Sequence, residues 1–259
     1  MMENSGKEQQ EHSGCSGYCR RCGQVHRLDG LRARSHARAL MEKLDRFGRI
    51  DFQAPADSAV PACSTQKIFG PARGKMFGVL LCRDFAGHEV VFQAFSGQFN
   101  GCWQVPGWVD PLFDVERFHR LNEPREKEIK ALGREMEIFP VGSREQQELR
   151  RRRKKKSRRL MEDIFSLYRV PNFRREEKKL VEVFTGAGGM PTGTGDCCAP
   201  KLLAHAARND LMPLSLVEFY YGRDNASGSG IHKQFYPPCS SRCQSILGHM
   251  LCGIEGAGR

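Results

Sequence analysis

No apolar run in these 259 residues reaches the roughly 18 that a helix needs to cross a bilayer, which excludes an ordinary membrane span. The opening MMENSGKEQQEHSG is polar and carries no apolar h-region, so a secretory signal is not expected and a cytoplasmic location is. The glycine-rich GAGGMPTGTGD lacks the Lys-Ser/Thr of a P-loop and does not form a G-x-G-x-x-G pattern after a strand. No internal repeat is present. Hydrophobic residues are sparse at 39%, yet 16 Phe can build a core. A chain of this length can hold one large domain or two small ones.

Net positive charge is also scarce outside one segment. Of the net +11, nine positive charges lie in RRRRKKKSRR at residues 150–159, leaving +2 for the rest. The block comprises Arg150, Arg151, Arg152, Arg153, Lys154, Lys155, Lys156, Arg158 and Arg159. It can neutralise several phosphates and bind polyanions in a salt-dependent way. With no interleaved aromatics it would position RNA without reading bases. Cations at nearly every position surround a helix, so no single face can hide them.

The polar start, residues 1–14, is expected to be disordered, and 15–49 read as a Cys/His knuckle followed by a helix. Ala33, Ala37, Leu40, Met41 and Leu44 fall at three- and four-residue spacings and give that helix one apolar face. Residues 50–72, rich in Pro, Ala and Ser, read as a linker or a long ordered loop. MFGVLLCRD and HEVVFQAFSG, joined by Phe85-Ala86-Gly87, predict a β-hairpin. Asn122 and Pro124 predict a helix start, Pro140 and Gly142 its end, and a second long helix follows over about 143–168. CAPKLLAHAARND predicts a helix, PLSLVEFYYG a strand, and CSSRCQSILGHMLCG a last helix.

Eleven cysteines is an odd count for a simple disulfide framework. Without an export signal, closely spaced pairs read as metal ligands. Cys19 and Cys22, with Gly23 behind them, have the spacing of a zinc knuckle; His26 and His36 are expected to complete it, with Cys15 as a substitute. Near the other end, Cys198 would open one helix, and Cys239 and Cys243 another. A helix N-terminus stabilises a thiolate and favours metal binding. Three thiolates leave the fourth tetrahedral position to water, as catalytic zinc requires; Cys197 as a fourth ligand would close the site. Asp196 and Glu218 are the carboxylates that could exchange protons with such a water. Their plainer readings are a helix N-cap and a strand charge paired with a Lys or Arg. Cys63, Cys82, Cys102 and Cys252 read as buried small hydrophobes. One or two zinc ions are expected.

Several segments, in order, resemble a known region: GKMFGVLLCRD, AFSGQF, VPGWVDPLFD, GTGDCCAPKLLAHA, VEFYYG and FYPPCSSRCQSILGHMLCG. It is the amino-terminal extension that precedes the catalytic domain in some bacterial RluA-type pseudouridine synthases. A smaller stand-alone form, with a Cys-x-x-Cys-Gly segment like YCRRCGQVH, is also similar. The resemblance covers roughly residues 18–253. His26-Arg27-Leu28-Asp29 matches the start of the synthase catalytic motif, but the motif does not continue, and a catalytic Asp29 is not expected. The segments of the synthase domain are not found in these residues, so synthase activity is not implied.

The same run is similar to divergent branches of the deaminase fold, whose first motif is His or Cys, any residue, then Glu. Cys198 takes the ligand place, Pro200 the glutamate place, and Cys239 and Cys243 the paired-ligand places. The resemblance implies a cytidine-deaminase-like α/β sheet with flanking helices over 73–254. A long helical hairpin would be inserted at about 115–170, and a small zinc knuckle would stand in front. It implies a zinc-binding accessory protein of RNA modification whose partners are RNA, a ribonucleoprotein or a protein with RNA-modifying activity. The alternative it implies is a zinc-dependent deaminase of a base in RNA or of a free nucleotide, with Glu218 or Asp196 as the proton shuttle.

Overall fold

The computed structural model describes residues 14–256 apart from 56, 57, 72 and 227. The expected disordered tail, up to residue 13, lies outside the described residues. A four-stranded antiparallel sheet organises the chain. Strands β3 (Lys75–Arg83) and β4 (Glu89–Phe95) form the expected hairpin. Beyond β3 lie β7 (Met212–Tyr221) and the two-residue β8 (Phe235–Tyr236), giving the order β4-β3-β7-β8. Two small antiparallel pairs stand outside it: β1 (Cys15–Cys19) with β2 (Gln24–Leu28), and β5 (Arg169–Pro171) with β6 (Glu177–Lys179).

The two-residue period of the strands gives the sheet two buried faces. On one face, Phe95, Phe77 and Phe219 sit in register across three strands. Their partner is helix α1 (Ala33–Phe47), whose Ala33, Ala37, Leu40, Met41 and Leu44 are buried as their spacing predicts. Trp108 closes this core, 5.5 Å from the rings of both Phe77 and Phe95. Its indole N–H donates to Ile50 O at 2.8 Å, anchoring the start of the stretch that leads to β3. That stretch carries a 3-10 turn (Pro61–Cys63) and a short helix α2 (Gln66–Phe69), with Ile50, Cys63 and Ile68 buried.

On the other face lies helix α6 (Cys198–Arg208), with Ala199, Leu202, Leu203 and Ala206 buried against Leu80, Cys82, Ala94 and Leu216. Its N-terminus crosses the sheet where the residues are small. A side chain at Gly78 would lie 2.6 Å from the Cys198 Cβ, so glycine is what allows the helix so close. The final helix α7 (Gln244–Met250) packs beside α6 and against β1.

Between β4 and β5 stand two long antiparallel helices, α3 (Val115–Met136) and α4 (Arg144–Leu167). The start of α3 corrects the sequence expectation. Asp114, not Asn122, caps it, accepting from Arg117 N at 2.7 Å, and Pro124 lies inside the helix. Proline removes one helical hydrogen bond there. The deprived carbonyl belongs to the exposed Arg120, which water can satisfy. Helix α4 starts where expected, and Ser143 caps it, accepting from Gln146 N at 3.2 Å. A short helix α5 (Leu180–Val183) follows β6. Among the described residues no helix is long and apolar enough to cross a membrane.

The β1–β2 hairpin belongs to this body. A Cβ added to Gly17 would lie 2.2 Å from Gly248 N, and one on Gly248 would lie 1.9 Å from Tyr18 O. Strand β1 thus packs backbone to backbone on α7. Gly248→Ala is expected to lower the unfolding free energy by about 1–3 kcal/mol, as overpacking does. Gly189→Ala, with nothing within 4 Å of the added methyl, should stay within about 0.5 kcal/mol of the parent in the same urea titration.

Candidate metal centre

Strand β1 ends at Cys19, and the chain turns back through Arg20, Arg21, Cys22 and Gly23 into β2. Gly23 adopts a positive φ of 67°, and its N–H closes the turn on Cys19 O at 2.9 Å. This turn carries two thiols to one side. His26 follows on the buried side of β2, only 4% exposed. Cys252 comes from the far end of the chain, in the turn directly after α7. The potential ligand atoms of Cys19, Cys22, His26 and Cys252 all lie within 4.8 Å of one another. Tetrahedral zinc, with bonds of about 2.0–2.3 Å, needs ligand atoms roughly 3.3–3.8 Å apart, so small movements would close this set. The four residues could hold a metal ion.

The surroundings suit that task. Cys22 Sγ and His26 Nε2 are 3.0 Å apart, while His26 Nδ1 meets Glu255 Oε1 at 3.1 Å. A carboxylate on Nδ1–H fixes the ring and leaves the Nε2 lone pair for a metal. Burial pushes the Cys19 thiol up, but hydrogen bonds from the Cys22 and Arg21 backbone and from the Cys22 and Cys252 side chains outweigh it and bring it down to about 7. Burial pushes Cys252 up to about 11 against the hydrogen bond from Arg174, whose Nε lies 3.3 Å from Sγ. Phe173 N donates to Cys252 O at 3.1 Å, so the loop after β5 holds the Cys252 turn in place.

Two expectations change here. His36 is carried away on the half-buried flank of α1 and is not among the four. Cys252 is not merely a buried small hydrophobe but the residue that completes the set. Local spacing could not give it, because the hairpin meets α7 only in the folded chain. Cys15 is buried on β1 and stays outside the group. Cys63 and Cys82 are buried, and Cys102 is half-buried.

Among the C-terminal thiols, Cys197 and Cys243 adjoin at the start of α6, while Cys198 turns to a backbone carbonyl. Among the described residues they form no second set of three or more ligand atoms at that spacing. Cys198 is fully buried, its thiol 3.4 Å from Met76 O. Cys197 occupies the N-cap of α6 without a side-chain cap bond. The adjoining Cys243 thiol, with burial, raises its pKa. Cys239 lies 3.2 Å from Ser241 Oγ.

Neither carboxylate does what the plainer readings give. Glu218 of β7, not Asp196, caps α6: its Oε1 accepts from Ala199 N at 2.6 Å. Glu218 sits in register with Gly78, so the gap that admits the helix also admits its cap. Burial pushes Glu218 up to about 7 against that hydrogen bond. Asp196 accepts from Tyr168 Oη at 2.6 Å, and burial raises it too. Two lysines that no motif singles out lie close by. Lys201, 1% exposed, donates to Phe95 O and Gly97 O at 3.0 and 2.9 Å. Lys75 donates to Ser96 O at 3.0 Å and to Gln98 O at 2.5 Å. Burial lowers Lys201 to about 8. Asp29 accepts from Leu31 N at 2.9 Å in a turn.

All nine cations of the basic block are exposed on α4. Lys156 pairs with Glu128 of α3 at 2.6 Å. The other eight have no ion pair among the described residues. Arg150, Arg153, Lys154 and Arg158 line one open groove with Ser157 and Met161.

Two measurements check these assignments. Cys22→Ser, His26→Ala and Cys252→Ser should each lose bound metal in elemental analysis, while His36→Ala keeps it. Burial holds Glu218 at about 7 in the folded state, against an ordinary carboxyl value of 4.5 in the unfolded chain. Between these values the folded state binds the extra proton, so stability falls as pH rises from about 4.5 to 7. Glu218→Gln should remove that slope, its gain over the parent being small at pH 5 and growing to on the order of 3 kcal/mol above pH 7 in urea titrations. No protein-family model, curated protein or solved structure matches this chain.

Proposed function

We propose that this chain is a zinc-stabilised RNA-binding protein that grips phosphates through α4. The observation that carries the reading is the set of eight exposed cations on one helix with no acidic partner among the described residues. Unpaired guanidinium and ammonium groups on a projecting helix release counterions when they meet a polyanion, and that release drives binding. Zinc suits the Cys19–Cys22–His26–Cys252 donors, because three thiols and an imidazole are the ligands of closed structural sites. Its role is to hold the fold, not to supply a reacting water. The sequence resemblance adds a context: an accessory that brings RNA to a partner with RNA-modifying activity.

The experiment is an RNA titration over a range of salt. Replacing Arg150, Arg153, Lys154 and Arg158 with Gln should weaken binding and reduce the salt slope by roughly 3, at about 0.7 per phosphate contact on a single strand. An unchanged affinity and slope would remove α4 from the interface.

A second reading, a zinc-dependent deaminase of a base in RNA or of a free nucleotide, draws its support from Glu218. A buried carboxyl that titrates near 7 beside Cys197 and the start of α6 suits proton transfer at neutral pH. It requires Cys239 and Cys243 to gather around a second ion with Cys197, which adjoins Cys243, in the place expected for Cys198. Two zinc ions per chain, with ammonia release lost in Glu218→Gln, would support it; one zinc ion and no ammonia would exclude it.

A further inference from the structure

The pleat of the β1–β2 hairpin separates two faces. Cys15, Gly17, Cys19, His26 and Leu28 point inward and are buried. Tyr18, Arg20, Val25 and Arg27 are exposed. Tyr18 is paired in register with Val25, and the two are 54% and 53% exposed. Tyr18 has neither a ring partner nor a hydrogen bond for its hydroxyl among the described residues. Arg27 lies diagonally across the strands from it, within reach of a long side chain, and Arg20 is the next outward position along the chain. Neither arginine has an ion pair among the described residues, whereas Arg21 turns aside to Glu176.

We infer that this outer face is a stacking platform for bases of single-stranded RNA, with Tyr18 under a base and Arg20 and Arg27 on the flanking phosphates. The inference deepens the RNA-binding reading, which α4 alone leaves without any contact to bases. An exposed aromatic ring between unpaired guanidiniums is the pattern of single-strand platforms, where every base offers a π-face. Residues 15–28, the two strands and their turn, carry no acidic side chain, so the charge of this face complements phosphate. Its rigidity comes from below. The metal ligands lie on the opposite side of the same two strands, and the Gly17–Gly248 contact presses β1 against α7. A ring held on so short a hairpin can be offered to a base without first being ordered.

The test compares two probes on the full chain: an unstructured RNA 12-mer and inorganic polyphosphate, which has charge and no bases. Tyr18→Ala should weaken the RNA by about fivefold or more and leave polyphosphate unchanged. Tyr18→Trp should keep RNA affinity, and unchanged metal content in Tyr18→Ala would show an intact hairpin. Parental RNA affinity in Tyr18→Ala, or an equal loss for both probes, would overturn the platform. The α4-neutralised variant in the same assay separates the two ideas. If it loses RNA while Tyr18→Ala does not, the platform alone fails. If Tyr18→Ala loses RNA and the α4 variant does not, the platform stands and the α4 reading fails.

Discussion

The meeting of Cys252 with Cys19, Cys22 and His26 is the constraint on which the rest of this structure leans. It joins two segments separated by most of the chain. A two-stranded hairpin is marginal in water by itself. Here β1 and β2 gain a base in α7, through the Gly17–Gly248 contact, and a clasp in the four ligand residues. A metal bound there would add its binding free energy directly to folding, because the set does not exist in the unfolded chain. Glu255 on His26 and Arg174 on Cys252 extend the clasp outward, so the residues after α7 are held from three sides.

A second constraint sits under the start of α6. Small residues on the sheet, Gly78 and Ala94, let the helix approach, and Glu218 in the same row supplies its cap. The neighbouring turn is gathered by Lys75 and Lys201, which donate to the carbonyls of residues 95–98. Burying charged groups is costly, and fixed carbonyl dipoles offset part of that cost for the lysines, with the Asp196 charge offsetting part of it for Lys201. This concentration of buried titratable groups explains why the region reads as chemistry in the sequence, while its thiols, with Cys197 beside Cys243, form no set of three ligands among the described residues.

The elements fixed by local pattern were legible. The apolar stripe of α1, the β3–β4 hairpin around Phe85-Ala86-Gly87 and the two long helices follow from periodicity and turn residues. The Cys-x-x-Cys-Gly turn was equally plain, because Gly23 supplies the positive φ that returns the chain. What spacing could not carry were pairings made across the fold. Cys252 took the place expected for His36, and Glu218 took the capping role expected for Asp196. The start of α3 differs from the expected one because Pro124, a common first-turn residue, lies inside the helix, and the cap that decides is Asp114. Whether the sheet is of the deaminase type is a matter of resemblance; the observed facts are its antiparallel β4-β3-β7-β8 order and its two helical covers.

The basic helix and the hairpin divide the surface chemistry between them. One offers charge without aromatics, and the other a lone aromatic between two cations. The hairpin face rests on the closure made at residue 252. X-ray absorption at the zinc edge of the purified full chain tests that closure most directly. We expect one zinc ion with three sulfurs at about 2.3 Å and one nitrogen at about 2.0–2.1 Å. A shell of four sulfurs, a shell dominated by oxygen, or no bound zinc would contradict the Cys19–Cys22–His26–Cys252 centre.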